Sequence, residues 1–222
     1  MKKEIYLIRG SNDESYEKFS QRMLDLGKNA VANPKTSQVK VTHTLEKPPG
    51  LSIIPFSKKK IAAISITYQS DVDNLNLKTN DTMGVYDVDE AIPIGYEKTW
   101  DDGSQTPGIC LLTIFKQRKD IPYEKFLDRW HNSHTPLSLK IHPLWNYNRN
   151  VARAKENTDS EDWDGIVEEQ FRTKSELLNP IKFFGNPLIM PYRMWQVYSD
   201  TKSFLDYGTI ETYFTSEYIL KS

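Results

Sequence analysis

The sequence predicts an α+β protein made of two tandem ferredoxin-like β-α-β-β-α-β units whose antiparallel sheets face one another. Three observations carry this. The letters YEKF, followed by two residues and Arg, occur at Tyr16–Arg22 and return 107 residues later at Tyr123–Arg129, close to half the chain. Both copies follow an apolar, strand-like run and open a helix. Between them, Thr99–Gly108 (TWDDGSQTPG) gathers Gly, Pro, Ser and Asp in the manner of a boundary. The division is therefore a first unit at 1–99, a linker at 100–107 and a second unit at 108–222 that includes a C-terminal tail.

In chain order, Glu4–Arg9 reads as a strand and Ser11–Ser15 as a turn into the first helix. Gln38–Leu45 alternates with the period of two that a half-buried strand requires, and Ile61–Tyr68 is a second such run. Ser70 and Asp71 can cap a short helix over VDNLNL, and Met83–Ile94 supplies the fourth strand. The order then repeats. Ile109–Phe115 is a strand, Pro122 opens a helix, Leu144–Ala152 and Gly165–Arg172 are strands, Lys174–Leu178 is a short helix and Arg193–Tyr198 the last strand. Val197-Tyr198 would then correspond to Val85-Tyr86. Lys155–Trp163 reads as a solvated hairpin tip, and Thr201–Ser222, aromatic but without a clear period, as a wrapping tail.

The helix from Pro122 is the chemically suggestive stretch. Pro122 suits a first turn, where its missing N–H goes unused, and Phe126, Trp130 and His134 fall on one face at i, i+4 and i+8. Pro136 should end that helix, because its ring clashes with the carbonyl one turn back, leaving His134 at a helix C-terminus and Thr135-Pro136 starting a second turn. The run FLDRWHNSHTPL, preceded by LLTIFKQRKDI and followed by HPLWNYNRNV, resembles the EthD-like family of the dimeric α/β-barrel proteins. The matching residues are Trp130, His134, Pro136 and Leu137 (W-x-x-x-H-x-P-L), then Pro143 and a strand carrying Tyr147 and Asn150. The resemblance covers the second half well and the first mainly in architecture. It implies that the two sheets close into an α/β barrel, here within one chain; the alternative, each half pairing with another copy in a homodimer, stays open. It also implies a histidine near the barrel cavity and cofactor-independent chemistry on a small apolar carbonyl or aromatic compound, by isomerisation, cyclisation, decarboxylation or oxygenation.

His134 is accordingly the candidate acid or base, since an imidazole titrates near neutrality. Tyr147 is the candidate donor to a carbonyl or enolate oxygen. Phe126, Trp130, His131 and Trp195 are candidates for lining the substrate pocket. Each has a plainer reading as a satisfied core residue. Met23 and Gly27 stand where the repeat aligns Trp130 and His134, so any reactive site belongs to the second unit. His131, His134 and His142 have a spacing that invites a metal, but no Cys, Asp or Glu accompanies them in a ligand pattern, and no metal is expected. No haem-attachment motif, phosphate-binding glycine loop, G-x-S-x-G or CxxC is present, so no cofactor is expected either. Arg118, Lys119, Arg149 and Arg153 read mostly as solvated surface.

Acids and bases nearly balance, at a formal net charge of −1, which argues against nucleic acid or an anionic membrane as partner. Cys110 is the single cysteine, in an apolar run, and reads as a small buried hydrophobe. Neither a signal-peptide core nor a membrane span is legible, so the expected location is cytoplasmic. Two competing functions remain beside the enzyme: a non-catalytic binder of a small apolar ligand in the same barrel, and a structural pseudo-dimer with a filled core.

Overall fold

A computed structural model describes residues 1–69, 77–154 and 160–222. The elements are β1 (Lys2–Arg9), α1 (Tyr16–Val31), β2 (Thr36–His43), β3 (Ile61–Tyr68) and β4 (Thr82–Ile94). Next come β5 (Ile109–Phe115), α2 (Tyr123–Asp128), a π-helical turn (Arg129–His134), α3 (Thr135–Ile141), β6 (Asn146–Ala154) and β7 (Gly165–Phe171). The last are α4 (Lys174–Leu178), α5 (Pro180–Phe184), α6 (Met190–Lys202) and β8 (Glu211–Lys221). The eight strands close into a barrel in the order β1-β3-β2-β8-β5-β7-β6-β4, every neighbour antiparallel. Each half contributes the same local order: β4-β1-β3-β2 from the first and β8-β5-β7-β6 from the second. The seams are β2 with β8, where Val41 faces Tyr218, and β4 with β6, where Val88 faces Ala152. Closure inside one chain leaves neither sheet with an unpaired edge.

The strand period of two assigns the two faces of this wall. Inward from one end point Ile5, Leu7, Leu112, Ile114, Ile166 and Tyr213, an apolar plug that also takes in Trp163. Outward, Ile8, Val41, Ile64 and Ile66 pack beneath Phe19 and Met23 of α1. On the other side Leu111, Tyr147, Val167 and Phe171 pack beneath Phe126, Trp130, Phe183 and Phe204. Ser15 caps α1 by accepting from the Lys18 N–H at 3.2 Å, which is what makes the preceding turn stop where it does. Among the described residues, no helix is long and apolar enough to cross a membrane.

Gly27, the residue aligned with His134 by the repeat, sits where α1 lies closest to the sheet. A Cβ there would be 2.5 Å from Leu220 Cδ1 and 2.6 Å from Val41 Cγ2. Gly27→Ala is expected to lower stability by about 1–3 kcal/mol through overpacking, although alanine is the better helix former. A lowered urea midpoint at unchanged slope checks it; an unchanged or raised midpoint refutes the close-approach argument.

Three sequence expectations are corrected. Arg193–Tyr198 is no strand but part of α6, and the closing strand is β8, inside the stretch read as a tail. The correspondence of Val197-Tyr198 with Val85-Tyr86 falls with it. Pro136 does not end a helix at His134: the π turn runs directly into α3, and the Thr135 N–H reaches back five residues to the Trp130 carbonyl. The wider turn carries the preceding carbonyls away from the proline ring and absorbs the clash. His134 therefore has no helix C-terminus behind it. The helix expected after Ser70-Asp71 and most of the Lys155–Trp163 hairpin tip lie outside the described residues.

Candidate active site

The chemically suggestive helix lies on the outside of the barrel wall, over β5, β7 and β6. Its aromatic face is packed solid. Phe126 and Trp130 are buried, their rings 5.5 Å apart, and Trp130 meets Phe115 edge-on at 4.9 Å. Both are core residues first; they form the apolar roof of whatever site this face holds.

His134 turns away from the sheet toward α6. Its Nδ1 lies 2.9 Å from Asp200 Oδ2 and its Nε2 3.1 Å from Ser138 Oγ, while the ring packs on Phe204 with centroids 5.5 Å apart. Burial pushes the Asp200 carboxyl upward, but hydrogen bonds from His134 and from Ser133 (2.5 Å) hold it below the usual carboxylate range. The order Ser138–His134–Asp200 has the connectivity of a nucleophile, base and orienting acid. Ser138, however, is 1% exposed, so no acyl group reaches its oxygen. Both ring nitrogens are thus spent joining α3 to α6. His134→Ala is expected to lower stability by about 1–3 kcal/mol, as for loss of a charge-assisted hydrogen bond, with turnover per folded molecule retained. A mutant that melts like the parent yet loses turnover would restore His134 as the acid or base.

Tyr147 is on β6, buried, with its side chain on the helix-facing side of the wall. Burial first and the charge of Glu169 second push the phenol well above its usual range, with the polar groups of Trp130 and Thr135 pulling the other way. No hydrogen bond joins it to His134 among the described residues. The residue directly opposite Tyr147 in the β6–β7 ladder is Glu169. Successive strand residues alternate faces, so Glu168 points into the barrel and Glu169 under the helices. Glu169 is only partly exposed, and no cation or hydrogen-bond donor of the described residues holds its carboxyl. Burial alone pushes that carboxyl up to about 7. A partly exposed carboxyl whose affinity for a proton is raised toward neutrality has the character of a general base.

The remaining candidates divide. His131 is half-buried with Nε2 unpartnered; burial, then the Arg149 charge, lowers its pKa. Arg149 donates to Thr135 Oγ1 at 2.8 Å and lies over the Trp130 ring, so it is part of this site and not the free surface charge expected. His142 hydrogen-bonds the Phe183 carbonyl through Nδ1, and burial drops its pKa to about 3, keeping it neutral. Trp195 is 62% exposed on α6 and stacked with Tyr192, apart from the buried Phe126 and Trp130. Among the described residues no group of three or more His, Cys, Asp or Glu gathers as a metal site. Glu169 was missed in the sequence because Glu-Glu inside GIVEEQF passes for solvent-facing charge. The available signal was two consecutive acids in a strand with apolar neighbours on both sides, one of which must face inward whichever way the strand is turned.

A closed antiparallel barrel with helices outside each half is the α/β-barrel class, and solved structures of that fold superpose on this chain. An anthrone oxidase-like protein matches with a TM-score of 0.57 at 10% identity, over 100% of this chain and 94% of its own. A protein of Fusobacterium nucleatum subsp. nucleatum, provisionally named a monooxygenase, matches with a TM-score of 0.52 at 9% identity, over 99% and 92%. At such identities the likeness shows the fold. No family model matches the sequence, and no curated protein matches it.

Proposed function

We propose that this protein is a monooxygenase-like oxidoreductase of the EthD-like group, working by acid–base chemistry on a small apolar carbonyl or phenolic compound without a bound cofactor. The observation that carries the reading is Glu169, a partly exposed carboxyl opposite Tyr147 in the β6–β7 ladder that no partner holds among the described residues. Glu169, ionised in half the molecules near pH 7, takes a proton from a carbon or hydroxyl next to the substrate's carbonyl. Tyr147, 1% exposed and held protonated, does not touch the substrate and stays as packing beneath the wall beside Glu169. An electron-rich carbanion of this kind can pass its electrons to dioxygen, and the overall change from CH2 and O2 to C=O and H2O balances without a further reductant. The two structural likenesses, to proteins named for an oxidase and a monooxygenase, support the oxidative outcome over isomerisation.

Oxygen uptake with a panel of polycyclic phenols and ketones bearing an acidic CH2 tests this. Uptake matched by quinone-type product supports it; proton exchange into the substrate from heavy water without uptake would leave the acid–base site but remove the oxidase. The second reading, a structural pseudo-dimer with a filled core, is favoured by how completely Phe126, Trp130 and Tyr147 are buried. It predicts no ligand-induced stabilisation by these compounds, and neither uptake nor exchange.

A further inference from the structure

The interior of the barrel is apolar at one end only. Toward the other, where β1 and β6 begin, the inward positions are Lys3, Lys40, Ser65, Glu90, Asn148 and Glu168. Six of the eight strands line an opening there of about 240 Å³, rimmed by Ile92, Tyr96 and Ile219. Since a water's share of liquid volume is about 30 Å³, this is space for roughly eight waters or one sugar-sized ring. It lies on the opposite face of the wall from Glu169 and owes nothing to the oxidase reading.

The polar groups are held by one another, and not all their valences are used. Lys3 Nζ donates to Glu90 Oε1 at 2.6 Å and Asn150 Oδ1 at 3.0 Å; Lys40 Nζ meets Glu168 Oε2 at 2.6 Å and Glu217 Oε2 at 3.3 Å. Each ammonium has a third N–H left. Asn148 spends its amide N–H on Glu90 at 2.5 Å, which fixes the amide's orientation and leaves Oδ1 buried with no donor. Ser65 Oγ is likewise buried without a partner. Both residues are more than nine-tenths buried and line the opening. Spare donors and spare acceptors are therefore interleaved across one small space, and a group that both gives and takes hydrogen bonds, a hydroxyl, satisfies them. The side-chain charges cancel: Lys3, Lys40 and Lys221 against Glu90, Glu168 and Glu217. A charged ligand would leave an unbalanced charge in a poorly solvated place.

We propose that this end of the barrel binds a small, neutral, hydroxyl-rich molecule, a sugar or cyclic polyol, through Ser65, Asn148 and the free N–H groups of Lys3 and Lys40. The full chain is titrated by saturation-transfer NMR and calorimetry with neutral sugars and cyclic polyols, glucose and myo-inositol among them. Glucuronate and glucosamine serve as charged counterparts of the same ring. At least one neutral compound should bind, with the charged counterparts weaker by about tenfold or more. Ser65→Ala and Asn148→Ala should each weaken binding by about fivefold to tenfold, the effect of one hydrogen bond. Failure of every neutral compound at millimolar concentration overturns the proposal, as does preference for a charged counterpart or indifference to both substitutions. Circular dichroism monitors folding of the variants. Should either unfold, crystals of the parent soaked in the bound compound decide by whether density fills this opening or lies elsewhere.

Discussion

Replacing Glu169 by glutamine should cut turnover by about 10²–10⁴-fold, the usual contribution of one positioned general acid or base. The parent's rate should rise with pH as the Glu169 carboxyl ionises around 7, and that limb should vanish in Glu169→Gln. The same substitution should stabilise the protein at alkaline pH, and the sign comes from linkage. The folded pKa, about 7, lies above the ordinary glutamate value of about 4.3, so between them the folded state binds more protons than the unfolded. Stability is fully present below the unfolded value and falls as pH rises through the folded one. Above pH 7 the parent carries the whole penalty of an ionised, unpaired carboxylate, and Glu169→Gln carries none. Melting temperatures of the two should therefore nearly coincide at pH 4.5, allowing for global acid effects, and separate by pH 8 with the variant higher. Higher stability with lost turnover is what a carboxyl kept for chemistry predicts. A variant that is no more stable at pH 8 shows that Glu169 is solvated or paired, and takes the proposed base away with it.

The two-sided barrel wall decides which elements the residues disclosed and which they hid. β1, β3 and β5 were legible because they are apolar on both faces and bounded by turn residues. β8 was not: Tyr213, Thr215 and Glu217 face the interior while Phe214, Ser216 and Tyr218 face outward, so each side mixes aromatic with polar and no period of two survives. α6 was mistaken for a strand over Arg193–Tyr198 because its exposed Trp195 and Tyr198 mimic an apolar run. The repeat at Tyr16 and Tyr123 pointed correctly to two helices after two strands, and the YEKF phenylalanines, Phe19 and Phe126, are both fully buried beneath them. For the site, the helix itself was legible but its orientation was not. The π turn rotates the residues after Trp130, so the stripe from Phe126 to His134 does not stay on one face, and His134 ends on α6. Tyr147 and Glu169 meet only across a ladder whose register no local pattern specifies.

Lys40→Met should be the most destabilising single change in the barrel. Lys40 is the shared cation of Glu168 and Glu217, both 1% exposed, and Thr42 Oγ1 adds a 2.5 Å hydrogen bond to Glu168. Burial opposes every one of these charges. Even so, Lys40, helped by Lys3, holds the Glu168 carboxyl below its usual range, and the two carboxylates push Lys40 well above its own. Removing one partner from a buried pair leaves the other ionised without compensation, a loss of about 3–5 kcal/mol. The pH dependence gives the mechanism away. In the parent, the Glu168 contribution is present above the unfolded carboxylate pKa and lost as pH falls through the folded one; the Lys40 contribution is present below the unfolded lysine pKa and lost as pH rises through the folded one. Stability should accordingly be flat from about pH 5 to 10 as far as this network governs it. Lys40→Met should instead gain stability as pH falls through the upper acid range, because the stranded carboxylates can then take protons. Adding Glu168→Gln and Glu217→Gln to Lys40→Met should return most of the loss, since neutral amides need no cation. Urea denaturation of the single and triple variants at pH 5 and pH 8 measures all of this. A single variant equally destabilised at both pH values, and not rescued by the two glutamines, would place the loss in packing of the lysine stem and not in its charge.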